Sequence, residues 1–160
     1  MRLGEWAEVD FAERIWRIPA KRMKMRLDHI VPLSTQAMAL LQSLHALTGD
    51  GRLMFPGLRS REKAISDATF IAALRRMGYA KEEMCAHGFR AMASTLLNEQ
   101  GYPADVIEKQ LAHNPRDKIR SVYNRAEYLP ERRKMMQEWA DFLMTLRSGS
   151  LHNAVTQPTF

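Results

Sequence analysis

The hydrophobic pattern of this chain changes period once, near Ser34, and that change limits the fold more than any other feature. Before it, apolar residues come in short β-branched and aromatic runs: Glu5–Phe11 alternates Trp6, Val9 and Phe11 with polar partners, and Arg14–Ile18 (RIWRI) and His29–Leu33 (HIVPL) follow. Such runs are strand signals. The acidic Asp10–Glu13 link suits a tight turn, and the basic, apolar-poor Pro19–Asp28 connection is expected to project outward. Three small strands this close together predict an antiparallel meander.

After Ser34 the apolar spacing is helical. Ser34 is placed to cap a helix over Thr35–Thr48, with Met38, Leu41, Leu44, Ala46 and Leu47 at helical positions and Gly49 as its stop. Asp50–Lys63 reads as a loop. Further helices are predicted from Ser66 to Met77, closed by Gly78, and from about His87 to Gln100, closed by Gly101. Others run from Pro103 at the first helical position to about Ala112, around Asp117–Asn124, and from Pro130 to about Leu146. The expected fold is α+β: a mainly helical domain over residues 1–147 with a small three-stranded antiparallel sheet near its N-terminus. Residues 148–160 are expected to form a flexible tail. Neither βαβ alternation nor a glycine-rich phosphate loop is present, which argues against a nucleotide-dependent enzyme.

Charge narrows the partner. The net charge is +6, and Arg14–Arg26 holds six basic residues (Arg14, Arg17, Lys21, Arg22, Lys24, Arg26) with no acidic one. A second basic stretch runs from Arg116 to Lys134, diluted by Asp117, Glu127 and Glu131. Counterion release makes such stretches attractive to nucleic acid, although most charge runs are solvated faces. The single cysteine, Cys85, excludes an internal disulfide framework and fits a reducing cytoplasm. No apolar run approaches a membrane span, and no Cys/His cluster has metal-ligand spacing. The eleven methionines read as adaptable core filler.

Two short patterns carry possible chemistry. In His87-Gly88-Phe89-Arg90, the first and last residues share a helix face, Gly88 leaves room for close approach, and Phe89 is expected to face inward. An imidazole and a guanidinium at a helix N-terminus make an anion site. Leu111-Ala112-His113 is followed ten residues after its histidine by Tyr123, among Lys118, Arg120 and Arg125. Nearby cations favour a tyrosinate and attract a phosphodiester. Either pattern alone is more often a surface pair or a core tyrosine.

Together and in this order they are more specific. HGFR, LAH and the tyrosine of RSVYNRAEY, with EWAEVDF, IPAKRMKMRLDHIVPLS, LMFPG and YLPERRKMMQEWADFL, resemble the tyrosine recombinase (phage integrase) family, more narrowly the integrases of satellite phages and genomic islands. The resemblance covers the chain to about Leu146. It implies site-specific cleavage and rejoining of double-stranded DNA, without a cofactor, through a 3′-phosphotyrosyl link. By resemblance, Tyr123 is the nucleophile, Lys24 protonates the leaving 5′-oxygen, and Arg90 binds a phosphate oxygen. His87 moves the tyrosine proton, and His113 hydrogen-bonds the phosphate. Lys21, Arg22, Arg26, Arg120 and Arg125 are expected DNA contacts, and a tetramer on DNA is implied for the full-length protein. Exchange of one phosphate ester for another is nearly isoenergetic, so no ATP is required.

Lys21 competes with Lys24 for its role. Tyr128 competes with Tyr123 as a second tyrosine close to it, and the family more often places the nucleophile nine residues after the histidine than ten. A one-residue insertion near Asn114-Pro115 accounts for Tyr123, whereas Tyr128 would need several. The family's first catalytic arginine lies in an Arg-x-Gly-Glu-Leu segment. Here Arg2-Leu3-Gly4-Glu5 echoes it, but Trp6 matches the strand better, and that arginine is expected to be absent along with the N-terminal DNA-binding domain, through trimming or a degenerate gene. A chain without it is expected to cleave DNA poorly. The competing readings are a non-catalytic basic DNA-binding or protein-interaction module and, less closely, a type IB topoisomerase.

Overall fold

In a computed structural model, residues 2–24, 26–112 and 127–149 are described. They form an α+β fold with a three-stranded antiparallel sheet in the order β1-β2-β3: β1 Val9–Asp10, β2 Ile15–Ile18 and β3 His29–Pro32. The meander is as expected, but β1 is shorter than its pattern. Trp6–Glu8 is a 3₁₀ turn, because the Glu5 and Glu8 side chains and backbones cap each other there. The Asp10 carboxylate accepts from the Glu13 amide (2.9 Å) and tightens the first hairpin, where Arg14 takes φ +55°.

Register explains the apolar run in β2. Val9 pairs with Trp16 and Trp16 with Val31, so these three share one face, while Ile15 and Pro32 pair on the other. Ile15, Trp16 and Pro32 are all buried, so both faces are covered and RIWRI cannot alternate cleanly. Trp6, Val9, Trp16 and Met54 form a buried cluster with Leu41 and Leu44 of α1 (Thr35–Thr48) packed on it. The Ser34 hydroxyl caps α1 by accepting from the Ala37 amide (3.2 Å). Leu47, taken as part of the apolar stripe, is 71% exposed, since the buried line runs through Met38, Leu41 and Leu44. Gly49 is the C-cap in an ordinary right-handed conformation.

The remaining helices are α2 Asp67–Arg76, α3 Gly88–Glu99, α4 Ala104–Gln110 and α5 Leu129–Arg147. Gly78 (φ +96°) and Gly101 (φ +82°) close α2 and α3 in conformations that a side chain would strain. Pro103 is the N-cap of α4, so the helix begins one residue later than predicted. Leu97, Val106, Ile107, Met135 and Trp139 bury a second cluster where α3, α4 and α5 meet. Each such side chain contributes roughly 1.5–3 kcal/mol on burial. Helix α5 packs on α1, α4 and β3, and so joins sheet to helices. Its polar side ties to the start of α1: Gln137 Oε1 accepts from the Thr35 amide (2.9 Å) and Gln36 Nε2 donates to Asp141 (2.6 Å). The predicted helix over 117–124 and most of the tail lie outside the described residues. No helix among those described is long and apolar enough to cross a membrane.

Candidate active site

His87 and Arg90 stand on the opening turn of α3. His87 is the N-cap with helical dihedrals, and its carbonyl accepts from the Arg90 amide (3.1 Å), which places the two residues one turn apart. His87 is exposed and Arg90 half-buried. Phe89 was expected to face inward and instead is 48% exposed. Helical phase does not explain this, since Phe89 lies one turn before Ala93 and two before Leu96, both packed on the helical cluster; among the described residues no element covers Phe89 on the first turn of α3. A Cβ on Gly88 would lie 3.0 Å from the Met84 sulfur, so this glycine admits the turn that precedes the helix.

The Pro19–Asp28 connection is anchored at its base and exposed at its tip. A 3₁₀ turn occupies Ala20–Arg22, and the Asp28 carboxylate accepts from the Ala20 amide (2.7 Å), clasping the two ends. Arg22, expected to contact DNA, folds inward: its guanidinium donates to the Glu8 carboxylate and the Leu3 carbonyl. This ion pair ties the connection to the turn at Glu8. Lys21, Lys24 and Arg26 are exposed, and Arg26 takes φ +53°.

At the foot of this connection β3 meets the end of α4. His29, 7% exposed, lies with Nε2 3.2 Å from the Gln110 carbonyl. Burial and then the charge of Arg132 lower its pKa from the ordinary 6.5, with the Gln110 hydrogen bond opposing, so His29 is neutral at pH 7 and Nε2–H donates. In the sequence Lys24 lies five residues before His29, and His113 follows Gln110 by three. His113, Arg120, Tyr123 and Arg125 themselves lie outside the described residues. Tyr128, the alternative tyrosine, caps α5 at φ +47° and packs half-buried against the helical cluster.

Known proteins resemble this chain over most of its length. The profile of the phage integrase family matches residues 2–129. This chain belongs to that family. It is 45% identical to the integrase of Enterobacteria phage P4 over 99% of the chain and 40% of that protein. It is 45% identical to the prophage integrase IntA of Escherichia coli (strain K12), covering 92% of the chain and 36% of the relative. For the integrase of Shigella phage Sf6 the identity is 42%, with 89% and 37% covered. The chain thus spans about two fifths of the length of these curated relatives. No solved structure matches it significantly.

Within this integrase-family chain, three supports of the site had no pattern of their own in the sequence. Arg75 of α2 donates from Nη1 to the carbonyls of Tyr79 (2.6 Å), Ala80 (2.8 Å) and Met84 (3.2 Å), shaping the turn that presents His87. A cation near a helix C-terminus was visible, but its acceptors were not. Glu8 holds both Arg22 and the Trp16 indole N–H (3.0 Å). Arg132 is one charge among many in its stretch of sequence, yet it is 0% exposed. Arg2, the echo of the family's first arginine, pairs with Asp67 at the start of α2 (2.6 Å).

Proposed function

We propose that residues 1–147 are the DNA strand-transfer domain of a site-specific recombinase that integrates or excises a phage or genomic island. Tyr123 attacks the scissile phosphorus, forming a 3′-phosphotyrosyl bond and releasing the 5′-hydroxyl, and Lys24 gives that oxygen its proton. Arg90 offsets the negative charge that grows on a phosphate oxygen in the transition state. His87 takes up and returns the tyrosine proton, and His113 hydrogen-bonds the phosphate. Double-stranded attachment-site DNA is the substrate, met first by the exposed Lys21 and Lys24 and by Arg26, and the full-length protein acts as a tetramer on it.

The observation that carries this reading is the His29–Gln110 junction, which ties the strand following Lys24 to the helix preceding His113. The packing of Tyr128 into the helical cluster supports Tyr123 as the nucleophile. The test is a chimera in which this chain replaces the matching region of the phage P4 integrase, incubated with a nicked attachment-site substrate that traps the covalent step. Covalent adduct is expected with wild type and with Tyr128→Phe, and none with Tyr123→Phe. An adduct that survives Tyr123→Phe discards the assignment. The 160-residue chain alone is expected to bind this DNA and cleave it poorly.

A further inference from the structure

The guanidinium of Arg132 is fully buried and plays no part in the chemistry proposed above. Each of its nitrogens donates to a different stretch of chain: Nε to Gln110 Oε1 (2.9 Å), Nη1 to the Glu127 carbonyl (3.2 Å), and Nη2 to the Ile30 carbonyl. Burial pushes its pKa down to about 10, with Glu127 pulling the other way, so it remains a cation at neutral pH. A buried cation is tolerated only when its donors are met, and here three chain segments meet them. Lysine, with one nitrogen and no planar fork, cannot span the same three acceptors.

The acceptors are placed informatively. Gln110 and Glu127 flank the stretch 113–126 on its two sides, and Ile30 belongs to β3, which follows Lys24. The Lys109–Glu127 ion pair (2.7 Å) joins the same two flanks, and His29 joins Gln110 to β3. Arg132 is the one side chain among these that touches both flanks and the strand. Being wholly covered, it cannot itself contact a DNA phosphate. The family profile stops at residue 129 and assigns it nothing.

We propose that Arg132 is a positioning residue whose fork sets the spacing between the two ends of the Tyr123-bearing stretch and strand β3, and thereby governs the rate of DNA cleavage without governing DNA affinity. The inference rests on the reading of Tyr123 as nucleophile and Lys24 as acid. In-line attack tolerates little error, since a misplacement of about 1 Å costs on the order of a hundredfold in rate.

Two measurements test it, each on Arg132→Lys and on the milder Gln110→Ala. In the P4 chimera, the single-turnover rate of adduct formation at saturating DNA is expected to fall at least about tenfold, with the dissociation constant for DNA within about threefold of wild type. Rates equal to wild type in both folded variants, or a loss that lies wholly in DNA binding, overturn the proposal. In the 160-residue chain, amide hydrogen exchange is read at Leu111, Ala112 and Arg132 against Leu97 and Trp139. The first group is expected to exchange at least about tenfold faster while the second keeps its protection. Unchanged exchange, or an equal rise everywhere, makes Arg132 an ordinary stabilising group and overturns the proposal. Should the unsubstituted chimera give no adduct, or one independent of Tyr123, the catalytic reading fails, and the exchange result alone then decides whether Arg132 holds the flanks in place.

Discussion

Removing the Glu8 carboxylate should destabilise the chain and at the same time tighten its hold on DNA. One carboxylate oxygen of Glu8 accepts from the Trp16 indole (3.0 Å), the Glu5 amide (3.3 Å) and the Arg22 guanidinium. The Glu8 and Arg22 side chains are only 11% and 16% exposed, so solvent screens the pair little. Glu8→Ala deletes the acceptor and strands the donors. The Arg22 bond contributes about 1.5–3 kcal/mol and the indole bond at least about 1, so a loss of roughly 2.5–4 kcal/mol is expected. Glu8→Gln retains a carbonyl for one donor and should lose about half as much. Urea denaturation at pH 7, followed by tryptophan fluorescence, measures both. The same substitution removes one negative charge and releases a cation beside Lys21 and Lys24, so affinity for duplex DNA at low salt should rise. An unfolding midpoint unchanged in Glu8→Ala, or weakened DNA binding in a folded sample, refutes the assignment of this pair as the anchor of the connection.

Other expectations follow from the packing and charge. Ile107, 0% exposed where α3, α4 and α5 meet, should lose about 2–5 kcal/mol on replacement by Ala, seen as a lower urea midpoint with an unchanged slope. His29 has a folded pKa below its unfolded value near 6.5, so the unfolded chain takes up the proton first. Stability should hold above that pH, fall as pH drops below it, and level off once the folded group also titrates. Urea midpoints between pH 7.5 and 5 in wild type and His29→Gln check this, and the substitution should flatten the slope. Replacing Lys21, Lys24 or Arg26 singly by Ala should lower the salt dependence of DNA binding by about one ion each, whereas Arg22→Ala should leave it nearly unchanged.

Much of this protein was legible along the chain because the deciding interactions are local. The change from strand to helix near Ser34, the Asp10 turn, the Ser34 cap and the glycine stops at Gly78 and Gly101 each depend on residues a few positions apart. The HGFR turn is local in the same sense, and so its helical placement could be read from spacing. Phe89 marks the boundary of that reasoning: near a helix end, an apolar residue faces inward only if another element covers it there, and among the described residues none does. What tertiary structure alone decided is which charges are spent inside the fold. Arg22 and Lys24 belong to one basic run, yet Arg22 turns to Glu8 while Lys24 is exposed. Arg132 looks like any helix-surface arginine until Ile30, 102 residues away, supplies a carbonyl. A side chain's charge is written in the sequence; whether it meets water or an acceptor depends on chain segments that only folding brings within hydrogen-bond reach.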